Sequence, residues 1–182
     1  MKLLPLSLLL IAGVCWRLPA QINWQSTNGP EGGAYWSAWY NDQYTFFPDE
    51  FNLYRTSDGL SWERLPHENL WPIAASNSLI AALQGYGFNT TPQQLRFVVS
   101  HDNGETWLEG TLPPTSYGGF SEIAVCSQGI FVPDGAVGKL FRSQDEGLTW
   151  DTIAPPGLYS YDLWVFEDRL YAEWYSKMWR LD

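Results

Sequence analysis

The chain has 182 residues, a length that suits one domain. Hydrophobic residues make up 45%, aromatics 16% and charged residues 16%, too apolar for a disordered chain and too aromatic for a coiled coil. Acids outnumber bases by 20 to 10 for a net charge of −10, which excludes a nucleic-acid partner, because phosphate backbones are held by basic residues.

Residues 1–20 read as a signal peptide. Lys2 supplies a basic start, residues 3–14 an apolar run, and Leu18-Pro19-Ala20 a cleavage site ahead of Gln21. A bilayer span needs about 20 apolar residues, so this segment is too short to be one, and no other stretch reaches that length. Ile11-Ala12-Gly13-Val14-Cys15 resembles a lipoprotein box, but Val14 stands where that pattern wants a small residue. The expectation is a protein secreted, periplasmic or at the cell surface, with residues 21–182 as its one mature domain. Cleavage removes Cys15 and leaves Cys126 alone inside Ile123-Ala124-Val125-Cys126. Packing rather than disulfides must then hold the fold.

Short strands are predicted along the whole mature chain. Ile22-Asn23-Trp24-Gln25 is a first candidate, and Asn28-Gly29-Pro30-Glu31-Gly32-Gly33 is a turn. No Lys-Ser/Thr follows that turn, so it is not a phosphate loop. Residues 35–40, 44–47, 53–56 and 62–65 form one set of four strands. Residues 72–75, 78–83, 95–100 and 107–109 form a second, and 122–126, 129–132 and 139–143, followed by a strand opening at Trp150, a third. Residues 158–182 contain no Gly or Pro, and their aromatic spacing admits a helix. The register of the preceding sets favours strands, with Leu170-Tyr171-Ala172 over Ile130-Phe131-Val132 and Met178-Trp179-Arg180 over Leu140-Phe141-Arg142.

These sets are punctuated by a repeat. Ser100-His101-Asp102-Asn103-Gly104-Glu105-Thr106-Trp107 and Ser143-Gln144-Asp145-Glu146-Gly147-Leu148-Thr149-Trp150 share the pattern S-x-D-x-G-x-T-W. Thr56-Ser57-Asp58-Gly59-Leu60-Ser61-Trp62 fits with one residue fewer. The tryptophans recur at 62, 107 and 150. Each Gly (Gly59, Gly104, Gly147) suits a turn position with positive φ. Each Asp can accept hydrogen bonds from turn amides, and each Trp offers apolar area to the space between sheets. The carboxylate density is far below that of a calcium loop.

This motif resembles the Asp-box, or BNR repeat, of β-propeller proteins of the sialidase and sortilin-like superfamily. The resemblance implies an all-β propeller of about four four-stranded blades. It also implies that Asp58, Gly59, Trp62, Asp102, Gly104, Trp107, Asp145, Gly147 and Trp150 are structural. Asp-boxes occur in glycosidases, receptors and assembly factors alike, on turns away from the ligand site. The chain ends one strand short of a fourth blade, and residues 22–25, with Trp24 in the place of the other tryptophans, supply a strand to pair with the one containing Met178 and Leu181. Such pairing hides two sheet edges. A larger ring made with a second chain, and an incomplete ring, are the alternatives.

For activity, the residues favour a non-catalytic binding or scaffold module over an enzyme. Arg55, Arg142 and Arg180 hold equivalent strand ends, which suggests a shared structural role, and the Arg-Ile-Pro motif of sialidases is absent. Acid pairs for a neutral-glycan hydrolase, Asp49 with Glu50 or Glu167 with Asp168, are adjacent in sequence and point opposite ways on a strand. His67 and His101 form neither a metal cluster nor a triad, and no cofactor or metal is implied. Recognition is expected on the loops opposite the repeat turns, where Glu31, Asp49, Trp71, Tyr86, Tyr117, Trp174 and Tyr175 would bind a glycan or protein ligand. Phe88 and Tyr159 lie on the same loops.

Overall fold

A computed structural model of the chain describes residues 26–29, 38–49, 51–77, 79–85, 95–114, 122–134, 138–153, 162–174 and 177–182. Among them there are strands and turns and no helix. Blade 1 is β1 (Trp39–Tyr40), β2 (Thr45–Pro48), β3 (Asn52–Thr56) and β4 (Glu63–Glu68). Blade 2 is β5 (Leu70–Ala75), β6 (Ile80–Gln84), β7 (Arg96–Ser100) and β8 (Leu108–Gly110). Blade 3 is β9 (Ala124–Cys126), β10 (Gly129–Asp134), β11 (Lys139–Ser143) and β12 (Asp151–Ile153), and blade 4 is β13 (Asp162–Phe166), β14 (Arg169–Trp174) and β15 (Lys177–Arg180). Each blade is an antiparallel meander in chain order. The four sheets stand in a ring, the arrangement of a four-bladed β-propeller, and the innermost strands β1, β5, β9 and β13 pack in succession.

The strand period of two explains how the blades stack. In β6, Ile80 and Ala82 point into the seam with blade 1, whereas Ala81 and Leu83 point into the seam with blade 3. Val98 of β7 joins the first seam, and Phe97 and Val99 join the second. Blade 3 repeats the pattern. Ile130 and Val132 face blade 2, and Phe131 faces Leu163, Leu170 and Ala172 of blade 4. A sheet covered on both faces needs apolar residues at consecutive positions, which is why residues 80–83 and 97–99 are unbroken apolar runs. Cys126 is a buried free thiol within the third seam. Burial raises its pKa, which keeps it protonated.

Residues 158–182 form strands where they are described, and the pairs Tyr171↔Arg180 and Ala172↔Trp179 match Phe131↔Arg142 and Val132↔Phe141. The tryptophans of the repeat stand one residue before their strands β4, β8 and β12 instead of opening them. The expected closing strand, residues 22–25, lies outside the described residues, as does the signal segment. Ser26 and Thr27, just after it, are exposed and belong to no strand. Asn28 forms a parallel bridge with Ser61 of blade 1.

Candidate functional site

The propeller has two ends. One carries the β1–β2-type hairpins and the repeat turns; the other carries the connections between blades and between the second and third strand of each blade.

At the first end the repeat turns are saturated with internal bonds. Asp102 Oδ1 accepts from the amide of Thr106 at 2.8 Å and Oδ2 from its hydroxyl at 2.6 Å, while Ser100 Oγ donates to Asp102 at 2.9 Å and accepts from Gly104 N at 2.8 Å. Asp145, Thr149, Ser143 and Gly147 repeat this arrangement. The Thr106 and Thr149 donors hold the carboxyls of Asp102 and Asp145 down at about 2. The shorter first turn is built differently. Asp58 Oδ1 accepts from Leu60 N and Ser61 N, each at 2.7 Å, and those amides lower its pKa.

Gly147 shows why the turn needs glycine. Its φ is +85°, and a Cβ there would run into the ring of Phe97 in the preceding blade. The same ring meets Trp150 edge-on at 5.1 Å, and Trp150 Nε1 donates to Thr111 O at 2.9 Å. Thr111, the first residue after β8, donates its amide to Gly147 O at 2.7 Å. This turn therefore fastens blade 3 to blade 2.

Side chains at this end add further links between blades. Arg55 is buried, pairs with Glu63 at 2.8 Å and with Glu105, donates to Asn103 O at 2.9 Å and lies over the Tyr44 ring. Burial alone would lower its pKa; the bonds from Glu105 and Glu63 reverse this and raise it. Arg142 and Arg180 do not share its role: Arg142 binds Gln144 at the surface, and Arg180 binds Asp182 and Tyr171 of its own blade. His101 of the second turn meets Glu146 of the third at 2.9 Å. Glu167 and Asp168 form the two-residue hairpin between β13 and β14, with φ of 48° and 58°. Asp168 accepts from Ser127 N at 2.7 Å, so this pair ties hairpins together at the turn end.

The opposite end holds the expected ligand residues. Glu31, Tyr86, Tyr117 and Tyr175, together with Phe88 and Tyr159, lie outside the described residues, and of Trp174 only the backbone in β14 is described. Asp49 is at this end, with its carboxylate occupied by its own loop. Oδ1 accepts from Phe51 N at 2.7 Å and Asn52 N at 2.5 Å, and Asn52 Nδ2 binds both oxygens. Burial opposes its charge, but these bonds prevail and lower its pKa. Trp71 is half-buried at the start of β5.

Sheet register makes Glu122 of blade 3 and Asp162 of blade 4 equivalent positions at the loop end, since Ile123 and Leu163, which follow them, each face the preceding blade. In blade 2 the same register reaches Pro72, because Ile73 is the residue that faces blade 1, and Trp71 stands one residue further out, within a register shift between Leu70 and Ile73. Glu122 was not among the sequence candidates. Its Oε2 accepts from Leu163 N at 2.8 Å, across the seam from blade 3 to blade 4. Burial raises its pKa to about 7, against the Leu163 bond and with help from the charge of Asp162. Nothing in Ser121-Glu122-Ile123 distinguishes this acid until the hairpin register sets it beside Asp162. The arrangement is a pair of acids across the seam between blades 3 and 4, with the Glu122 carboxyl pushed up to about 7. Among the described residues no three His, Cys, Asp or Glu side chains are grouped to hold a metal.

By its fold the protein is a β-propeller, a class that presents its inter-blade loops for recognition. No family model matches the sequence, and no curated protein is similar to it. Among solved structures the chain is similar to YCF48 bound to D1 peptide, with a TM-score of 0.55 and 16% identity, over 77% of this chain and 46% of that one. The chain thus spans less than half the length of that propeller protein.

Proposed function

We propose that the chain is an exported, non-catalytic propeller module of the Asp-box kind that binds a peptide segment of a partner protein at its loop end. The observation that carries this reading is the equivalent placement of Glu122 and Asp162 on neighbouring blades at the loop end, where Trp71 of blade 2 also lies. Carboxylates and an aromatic side chain at one end of the ring suit a peptide carrying Lys or Arg, through charge-assisted and cation–π contacts. The net charge of −10 favours the approach of such a segment. A peptide is preferred to a glycan because the similar solved structure is that of a protein bound to a peptide. The Asp-box assignment is supported by the shared bonding of Asp102 and Asp145, and export by residues 1–20.

The test is a binding screen of basic, neutral and acidic peptides alongside neutral and sialylated glycans and chromogenic glycosides. Basic peptides should bind, and Trp71→Ala or Asp162→Asn should weaken them at least tenfold with the fold intact. Glycan binding insensitive to both changes would overturn the peptide reading. Glycoside turnover abolished by Glu122→Gln would make the protein a hydrolase. Sequencing of exported protein should begin at Gln21.

A further inference from the structure

The chain contains two Asn-Gly pairs, Asn28-Gly29 and Asn103-Gly104, and the fold treats them in opposite ways. In such a pair the backbone nitrogen of Gly can attack the side-chain amide carbon of the preceding Asn, because glycine has no Cβ to block the approach. The N–Cγ bond forms and closes a five-membered succinimide. The Cγ–Nδ2 bond breaks, and the amide nitrogen leaves as ammonia with the proton that the Gly nitrogen gives up. Water then opens the ring at one carbonyl or the other, giving aspartate or isoaspartate. Water is the only co-reactant. What the step requires is an Asn side chain free to turn and a Gly nitrogen free to meet it.

Asn103 has neither freedom. Its Oδ1 accepts from Asn41 Nδ2 at 2.8 Å and its Nδ2 donates to Gln43 Oε1 at 2.9 Å, so the β1–β2 hairpin of blade 1 holds both ends of the amide. Its carbonyl accepts from Arg55 at 2.9 Å, and the amide of buried Gly104 donates to Ser100 Oγ at 2.8 Å. Asn28 is held through its backbone. Its amide donates to Leu60 O at 2.9 Å, and it forms the parallel bridge with Ser61. Its side chain is exposed, with neither amide atom bonded among the described residues. The Gly29 amide makes one long bond, 3.2 Å, to the exposed hydroxyl of Thr27.

We propose that Asn28 is a site of spontaneous deamidation in the folded protein, converting to aspartate and isoaspartate while Asn103 stays intact. The conversion acts on the first repeat turn. It places a carboxylate on a turn whose Leu60 and Ser61 amides already bind Asp58, and like charges so close repel. Isoaspartate also inserts one carbon into the main chain, out of step with the bridge to Ser61, so residues 26–29 let go of blade 1. Gly29 stands against Trp62, where a Cβ on it would be 3.3 Å from the buried Nε1. Release of the segment therefore uncovers that indole. The second and third turns, held by the bonds of Ser100, Asp102, Ser143 and Asp145, keep their form.

The test is peptide mapping by mass spectrometry of the full chain, incubated folded at mildly alkaline pH and, in parallel, unfolded in concentrated guanidinium. In the folded protein Asn28 should deamidate faster than Asn103 by about tenfold or more, since Asn103 reacts only after its turn opens. In the unfolded chain the two rates should converge, because both sites are then plain Asn-Gly. Asn41→Ala, which frees Oδ1 of Asn103, should speed deamidation there and leave the rate at Asn28 unchanged. Hydrogen exchange reads the consequence: the amide of residue 28 should lose its protection as the parent ages and keep it in Asn28→Gln. Equal rates at the two sites in the folded protein, or an Asn28 that reacts only when the chain is unfolded, would overturn the proposal. So would an aged parent, converted at position 28, whose amide there stays protected.

Discussion

Strands β6 and β7 of blade 2 differ from β13 of blade 4 in how much of each is buried. In β6 and β7 alternate residues are claimed by opposite neighbours, and Ala81, Ala82, Leu83 and Phe97 are all fully buried. In β13 only Leu163 is buried, and Trp164, Val165 and Phe166 are exposed. The same local pattern thus has two energetic meanings. A strand between two sheets gains burial from every residue, at roughly 25 cal/mol per Å² of apolar surface. A strand such as β13, with Leu163 alone buried, gains it from far fewer. Stability should concentrate in blades 2 and 3.

The sharpest way to break this comparison is a pair of truncations of the same residue type. Phe97→Ala should cost about 3–5 kcal/mol, because the ring is fully buried and meets both Gly147 and Trp150. Phe166→Ala should change the unfolding free energy of dilute protein by no more than about 0.5 kcal/mol. Denaturant melts of the two variants check this, and equal losses would contradict it. Gly147→Ala comes next, at about 2–3 kcal/mol, since it adds a side chain at positive φ and drives it into Phe97. A loss that vanishes in the Phe97→Ala background would confirm the contact as its source.

Two pH effects sharpen the comparison further. Glu122 has its folded pKa raised to about 7, so folding favours its protonated form. The stability this lends is fully present below the ordinary value of 4.5 and is lost as pH rises from there to about 7. The melting temperature should fall over that window in the parent and stay level in Glu122→Gln. The effect should be visible at the third seam, in near-ultraviolet signals from Trp179, which pairs with Ala172 on the face toward blade 3. Asp102 and Asp145 act in the opposite sense. With folded values near 2 against 3.8, their contribution is present above about pH 4 and disappears as pH falls toward 2. Asp102→Asn with Asp145→Asn should flatten that acid limb, which thermal melts between pH 2 and 5 would report.

Much of this architecture could be read before any coordinates. The spacing of Asp58, Asp102 and Asp145, each followed by Gly and Trp, marks the turn between third and fourth strands. The apolar runs at 80–83 and 97–99 mark strands covered on both faces. In blade 4 the same rules succeeded against a helical spacing of aromatics, because the register of Met178-Trp179-Arg180 on Leu140-Phe141-Arg142 is a longer-range constraint than any one face. The site was less legible. Asp49 looks from sequence like a free loop acid, yet Asn52 three residues on turns it into the cap of its own loop. Glu122 carries no local signal at all, since its altered acidity comes from burial and from Asp162, 40 positions away. Trp71 was recognised as a loop aromatic, and a register shift between Leu70 and Ile73 keeps it out of line with Glu122 and Asp162.

The measurement that tests the central claim most directly is hydrogen exchange, strand by strand, on dilute protein. Amides of β6, β7, β10 and β11 should exchange only through global unfolding, and those of β13 and β15 should exchange orders of magnitude faster through local opening of blade 4. Blade 4 protected to the same level as blade 2 would contradict the account, because exposed β13 would then be held as firmly as strands buried on both faces.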